Sequence, residues 1–309
     1  MQGLALSAQY YFTFGKPMLE TMFPEYVSRI ACGLVGEGSD CLGFDDELSM
    51  DHDWGAGFCI WLTDEDYDKI GLQLQEQYEL LPATYNGYPK KMTGEMAQGR
   101  TGVMKTSDFY KRYTGRATGP QAINEWLRIP EHFLATATNG AVFEDHLGEF
   151  SKIRKELLRF YPEDIRLKKI VARCATMAQS GQYNYPRSIN RGEFVTAQLA
   201  LAEFIKATCS IVYLFNKQYA PYYKWLHKGI KNLPILDTVY DLITRLVANP
   251  MESGSRNVEI IEEICQLVIQ ELHRQGLSDS QDDFLNAHWP LVLQHIQTPS
   301  IRNMHVFEA

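Results

Sequence analysis

Four residues near the start of the chain have the types and spacing to handle a phosphate ester. Gly38 and Ser39 close the run GLVGEGS, and Asp51 and Asp53 stand two apart in SMDHDWGAGFCIWL. Residues 30–35 are mostly apolar and break off at Gly36-Glu37-Gly38-Ser39. That pattern predicts a buried strand running out into a turn of small residues. Such a turn lets backbone N–H groups approach an anion closely, and a following helical turn would add its positive end. The run GAGFCIWL reads as a second buried strand, opened by the aspartates. Residues i and i+2 of a strand share a face, about 7 Å apart at Cα. Asp51 and Asp53 would then face one cation while His52 points the other way. Few, charged oxygen ligands suit Mg2+ (or Mn2+), which shares its shell with substrate phosphates.

Gly38-Ser39 followed by Asp51-His52-Asp53 resembles the glycine-serine plus Asp-x-Asp signature of the DNA-polymerase-β-like nucleotidyltransferase superfamily. The longer string GLVGEGSDCLGFDDELSMDHDWG is similar to a bacterial family of nucleotidyltransferase-like proteins. The similarity continues through WLRIPEHFLATATNGAVFEDHLGEF and YAPYYKWL, so it covers most of the chain. It implies a metal-dependent nucleotidyltransferase that moves a nucleoside monophosphate from an NTP, ATP being the expected donor, to an acceptor hydroxyl. Pyrophosphate is released. On this resemblance Asp51 and Asp53 are catalytic and bind the metal, and Gly38 and Ser39 hold the terminal phosphates. Lys224 and Tyr219, in a segment resembling the helical domain of antibiotic nucleotidyltransferases, cover the nucleotide, and Glu193 is a general base. The chain departs from the pattern in one respect. Polymerase-β-like enzymes usually carry a third carboxylate on a strand, and the corresponding GVMKT has no acid. Glu95, Asp108 and Asp145 could replace it, as could the loop acids Asp45 and Asp46, which are nearer to the aspartate pair.

Other readings compete for the same residues. His52-Asp53 could be a metal dyad of the phosphohydrolase type, but that arrangement wants a helix and further His and Asp ligands, whereas glycines and a β-rich run follow. Glu193 also suits the positive end of a helix. Lys224 sits among Tyr222, Tyr223 and Trp225, a cluster that serves equally as packing. The missing third acid leaves room for a regulatory protein that binds NTP and transfers nothing. A third reading puts the acceptor hydroxyl on a protein.

The elements that must position these residues predict an α+β chain: a small mixed sheet in a nucleotidyltransferase-like domain, 1–120, and an all-helical domain, 121–309, that covers substrate and nucleotide. Two short helices, 3–11 and 17–26, precede the first strand. Thr63 caps a helix reaching about residue 81, and 103–106 forms a third strand. Residues 126–138 read as one helix, 180–190 as a loop and 192–219 as a long helix. With 309 residues and 45% hydrophobic composition the chain can build two cores. A net charge of −8 argues against broad nucleic-acid binding. Six cysteines without a C-x-x-C pair read as small core residues in a reducing compartment. No leader is evident and no apolar run approaches the roughly 20 residues of a membrane span. The expectation is a cytoplasmic protein without membrane contact.

Overall fold

The computed structural model describes residues 2–51, 54–91, 99–249 and 254–308. The chain is α+β and divides into two compact units: Met1–Gln121 with Phe133–Arg159, and Ala122–His132 with Phe160–Ala309. The first unit opens with α1 (Gly3–Tyr10), a π-helical turn (Tyr11–Gly15) and α2 (Lys16–Met22). These form a continuous helical run where two separate helices were expected. Gly15 does not break the run because it serves close packing: a Cβ there would collide with the Phe58 ring.

Then come β1 (Ala31–Leu34), β2 (Cys59–Leu62), α3 (Asp64–Glu79), a small hairpin of β3 (Thr84–Tyr85) and β4 (Tyr88–Pro89), β5 (Gly102–Lys105) and α4 (Thr106–Thr114). The main sheet has the order β5-β2-β1-β6, where β6 is Ala141–Asp145. Strand β1 is antiparallel to both neighbours, with Gly33 opposite Cys59 and Val142. Strand β2 is parallel to β5, a pairing that needs a crossover, and α3 lies in that crossover. The Thr63 hydroxyl accepts from the Asp66 N–H at 3.1 Å, so α3 begins at the expected cap.

Both faces of the sheet are covered, which explains why β2 reads as continuously apolar. Cys32, Ile60 and Leu62 join a core with Leu6, Tyr10, Leu74 and Tyr78. On the other face Trp61 stacks on Phe150 of α7 (Glu149–Leu158) at 3.9 Å and meets Phe109 edge-on at 5.6 Å. Alternate residues of one strand thus anchor two helical layers.

The second unit is helical. Residues 126–138, expected as one helix, form α5 (Ile123–Arg128) and α6 (Glu131–Thr138). Pro130 separates them, and Ile129 before it is extended. Helix α8 (Glu163–Met177) continues through a π-helical stretch (Ala178–Asn184) into α9 (Tyr185–Asn190), so the expected loop at 180–190 is helix. Helix α10 (Phe194–Phe215) packs on α8, followed by the single turn α11 (Tyr223–Leu226). Helices α12 (Val239–Ala248), α13 (Gly254–Arg274), α14 (Trp289–Gln294) and α15 (Pro299–Arg302) complete the unit. By length and composition α10 is apolar enough to cross a membrane, contrary to the expectation that no such run exists, and half of its most apolar stretch is buried.

Candidate functional site

The turn after β1 depends on glycine: Gly36 and Gly38 have φ of +136° and +133°, values that L side chains rarely adopt. Asn139 clamps its first residue. The Gly36 N–H donates to Asn139 Oδ1 at 2.9 Å, and Asn139 Nδ2 donates to the Gly36 carbonyl at 2.7 Å. Glu37 pairs with Arg112 at 2.9 Å and Arg100 at 3.3 Å, so two guanidinium groups stand at the turn. Gly38 is exposed and Ser39 half-buried, at the start of a 3-10 turn (Asp40–Leu42).

One residue past Ser39, Asp40 is buried in an ion pair with Lys91 and accepts from the Cys41 N–H at 2.9 Å. Burial pushes the Lys91 pKa down, but the facing Asp40 carboxylate outweighs it and raises it. Asp45 is half-buried. Its Oδ2 accepts from the Gly3 N–H at 2.7 Å and from Trp54 Nε1 at 3.1 Å. Its Oδ1 is buried without a donor among the described residues.

Gly3 ties these pieces together. A Cβ on Gly3 would meet Asp40 Cβ at 2.7 Å and Trp54 Nε1 at 2.8 Å. The residues that follow Ser39 and Asp53 therefore pack against the same glycine.

Asp51 does not open a strand. Asp51 is the last residue of a 3-10 turn (Glu47–Asp51), and β2 begins only at Cys59. Between them the Ala56 N–H donates to the Pro89 carbonyl at 2.9 Å and the Lys91 N–H to the Ala56 carbonyl at 2.7 Å. Gly55 and Gly57 permit that approach, lying against Pro89 and Lys91. Asp53, His52 and Glu95 lie outside the described residues. Among the other acids considered, Asp108 is exposed in the first turn of α4. Asp145 accepts from the N–H groups of Gly148 and Ser151, at 2.8 and 2.7 Å, and so holds the start of α7. Asp46 accepts from Ser49. Among the described residues no group of three or more His, Cys, Asp or Glu is arranged to hold a metal ion.

In the second unit Glu193 is the exposed N-cap residue of α10 and makes no side-chain cap. Lys224 is exposed on α11, its Nζ 5.0 Å from the Trp225 ring centroid. The Tyr219 ring packs on Phe160 and Tyr161, at 4.9 and 5.0 Å, and burial pushes its hydroxyl pKa up.

A cavity of about 480 Å³ opens in this unit, lined by the start of α6, by α8 and α10, and by residues 220–226. Its charged lining residues, Glu131, Arg173, Glu203 and Lys206, were not among the sequence candidates. The sequence carries no local signal for it, because Glu131, Arg173 and Lys206 come from three helices that only tertiary packing joins.

A family described as "Domain of unknown function (DUF4037)" matches residues 126–226, a span that includes every residue lining the cavity. No curated protein matches the chain. Among solved structures, a nucleotidyltransferase-like protein from Exiguobacterium sibiricum 255-15 aligns with 85% of this chain and 78% of its own, at 12% identity and a TM-score of 0.38.

Proposed function

We propose that the first unit binds a nucleoside triphosphate, ATP for preference, and transfers its nucleoside monophosphate to an acceptor hydroxyl. The observation that carries this reading is the convergence on Gly3 of Asp40 and Trp54, which brings the chain just past Ser39 and just past Asp53 together. The antiparallel register of β1 and β2 supports it, because it sets the end of β1 beside the start of β2.

Asp45 offers one hard ligand: it has a buried oxygen without a donor among the described residues and bonds Trp54, the neighbour of Asp53 in sequence. Asp51 and Asp53 would hold Mg2+ (or Mn2+), with Asp45 as third carboxylate, and the ion would neutralise charge on the triphosphate. The amides of the turn and the Ser39 hydroxyl donate to the terminal phosphates, and Arg100 and Arg112 lend positive charge at the turn. The acceptor oxygen bonds to the α-phosphorus as the bond to the bridging oxygen breaks, and pyrophosphate leaves with that electron pair. The hydroxyl proton passes to solvent.

Binding without transfer is the second reading, favoured by a β5 strand (Gly102–Lys105) that carries no acid. Incubation of the protein with α-labelled ATP, Mg2+ and cell extract separates the two. Label transferred to a metabolite or to protein, with matching pyrophosphate, supports the transferase and identifies its acceptor class. Bound ATP with no labelled product supports a sensor, and no binding at all overturns both.

A further inference from the structure

The floor of the cavity in the second unit is a closed circuit. Glu131 Oε1 accepts from Arg173 at 3.0 Å and its Oε2 from the Ser210 hydroxyl at 2.8 Å, while Arg173 Nε donates to that same hydroxyl at 2.8 Å. Burial pushes the Glu131 pKa up, but Arg173, Lys169 and Ser210 outweigh it and hold the group ionised. Carboxylate and guanidinium answer each other, so the floor demands no net charge of a ligand.

The remaining charges of the lining are differently placed. Glu203 and Lys206 stand three residues apart on α10, both exposed, and neither makes a hydrogen bond or ion pair among the described residues, not even with the other. Residues at that spacing lie side by side on a helix, about 5–6 Å apart at Cβ. One unpaired carboxylate therefore neighbours one unpaired ammonium. Glu131 balances Arg173 and Glu203 balances Lys206, so the lining as a whole favours neither a bare anion nor a bare cation. A ligand that carries both charges close together meets each with its opposite through charge-assisted hydrogen bonds. A neutral polyol would leave both unmatched.

Elsewhere the wall is aromatic and apolar. Tyr222 stands 5.6 Å from the His132 ring and 4.4 Å from that of Tyr223, and Pro221 and Leu226 line the same side of the chain. Burial moves His132 towards its neutral form, so it adds no charge. A volume of about 480 Å³ suits a small organic molecule.

We propose that this cavity binds a free α-amino acid with an aromatic side chain, its ammonium at Glu203, its carboxylate at Lys206 and its ring beside Tyr222 and Tyr223. An α-amino acid holds its two charges on one carbon and its neighbour, which matches two opposite charges side by side on one helix. The site shares no residue with the triphosphate turn.

The test is calorimetric titration of the full-length protein with L-phenylalanine, without nucleotide or Mg2+. The controls each lack one feature: phenylpropionate the ammonium, phenethylamine the carboxylate, and glycine the ring. L-phenylalanine should bind about fivefold more tightly than every control, the scale of one exposed charge pair. Glu203→Gln and Lys206→Met, both at exposed positions without partners, should each weaken it about fivefold while leaving the circular dichroism spectrum unchanged. Glu203→Gln should also leave the affinity for phenylpropionate as it was, because that probe has no ammonium to lose. Phenylpropionate or phenethylamine binding as tightly as L-phenylalanine, unchanged affinity in the two variants, or no binding of L-phenylalanine up to about 10 mM would overturn the proposal. Since nucleotide and metal are absent, each of these results is independent of the transferase reading.

Discussion

Asp40 and Glu131 are the two carboxylates whose burial says most about their surroundings. Asp40 lies one residue past Ser39 and is paired with a lysine that is also buried. Replacing it by Asn leaves the Lys91 charge without its counter-ion, an uncompensated buried charge that costs about 3–5 kcal/mol. Urea unfolding of Asp40→Asn should show that loss in the transition that reports the first unit. Glu131 has a folded pKa held below its ordinary 4.5. Its contribution to stability is complete above that value and is lost as pH falls through the lower folded value. Acid titration followed by circular dichroism should thus show a Glu131-dependent loss of helix below pH 4.5, and Glu131→Gln should flatten that limb. Gly38 and Ser39 stood out in the sequence because a glycine-serine turn after an apolar run is local. Glu131, Arg173 and Ser210 did not, because they come from three helices and only tertiary packing joins them.

Elements show the same division. Strand β2 and helix α3 were plain from a continuous apolar run and a Thr63 cap. Strand β6 is not: it is half-buried throughout, lies at the edge of the sheet and ends in Glu144-Asp145, so it lacks the continuous apolar run of a central strand. The stretch 180–190 reads as a loop in sequence because Gly181 and Pro186 are helix breakers in isolation. In place, Gly181 faces the Phe204 ring, which a Cβ would strike, and Pro186 falls where the π-helical stretch passes into α9. Glycine there is a packing device between the π-helical stretch and α10. Gly181→Ala should therefore destabilise the second unit by about 1–3 kcal/mol, although alanine is the better helix former. Thermal unfolding compared with a Gly192→Ala control separates the two effects. Gly192 has open space around it but a φ of +73°, so its cost is backbone strain alone.

At the scale of the whole chain, the α+β class was readable from apolar runs early in the sequence and helical periodicity later. The partition was less so, because the chain leaves the first unit after Gln121 and returns to it at Phe133 to supply β6 and α7. Asn139, which clamps Gly36, arrives on that return, so the candidate turn is completed by residues about a hundred positions away. The aspartate pair was assigned by strand geometry that Asp51 does not have, and its role now rests on the convergence around Gly3. Calorimetric titration of Mg2+-ATP into the wild-type protein and into an Asp51→Asn, Asp53→Asn double variant tests that role most directly. The expected result is one saturable site in the wild type, weakened at least about tenfold in the variant with its thermal midpoint unchanged. Equal affinity in the two proteins, or no ATP binding by the wild type, would contradict the account.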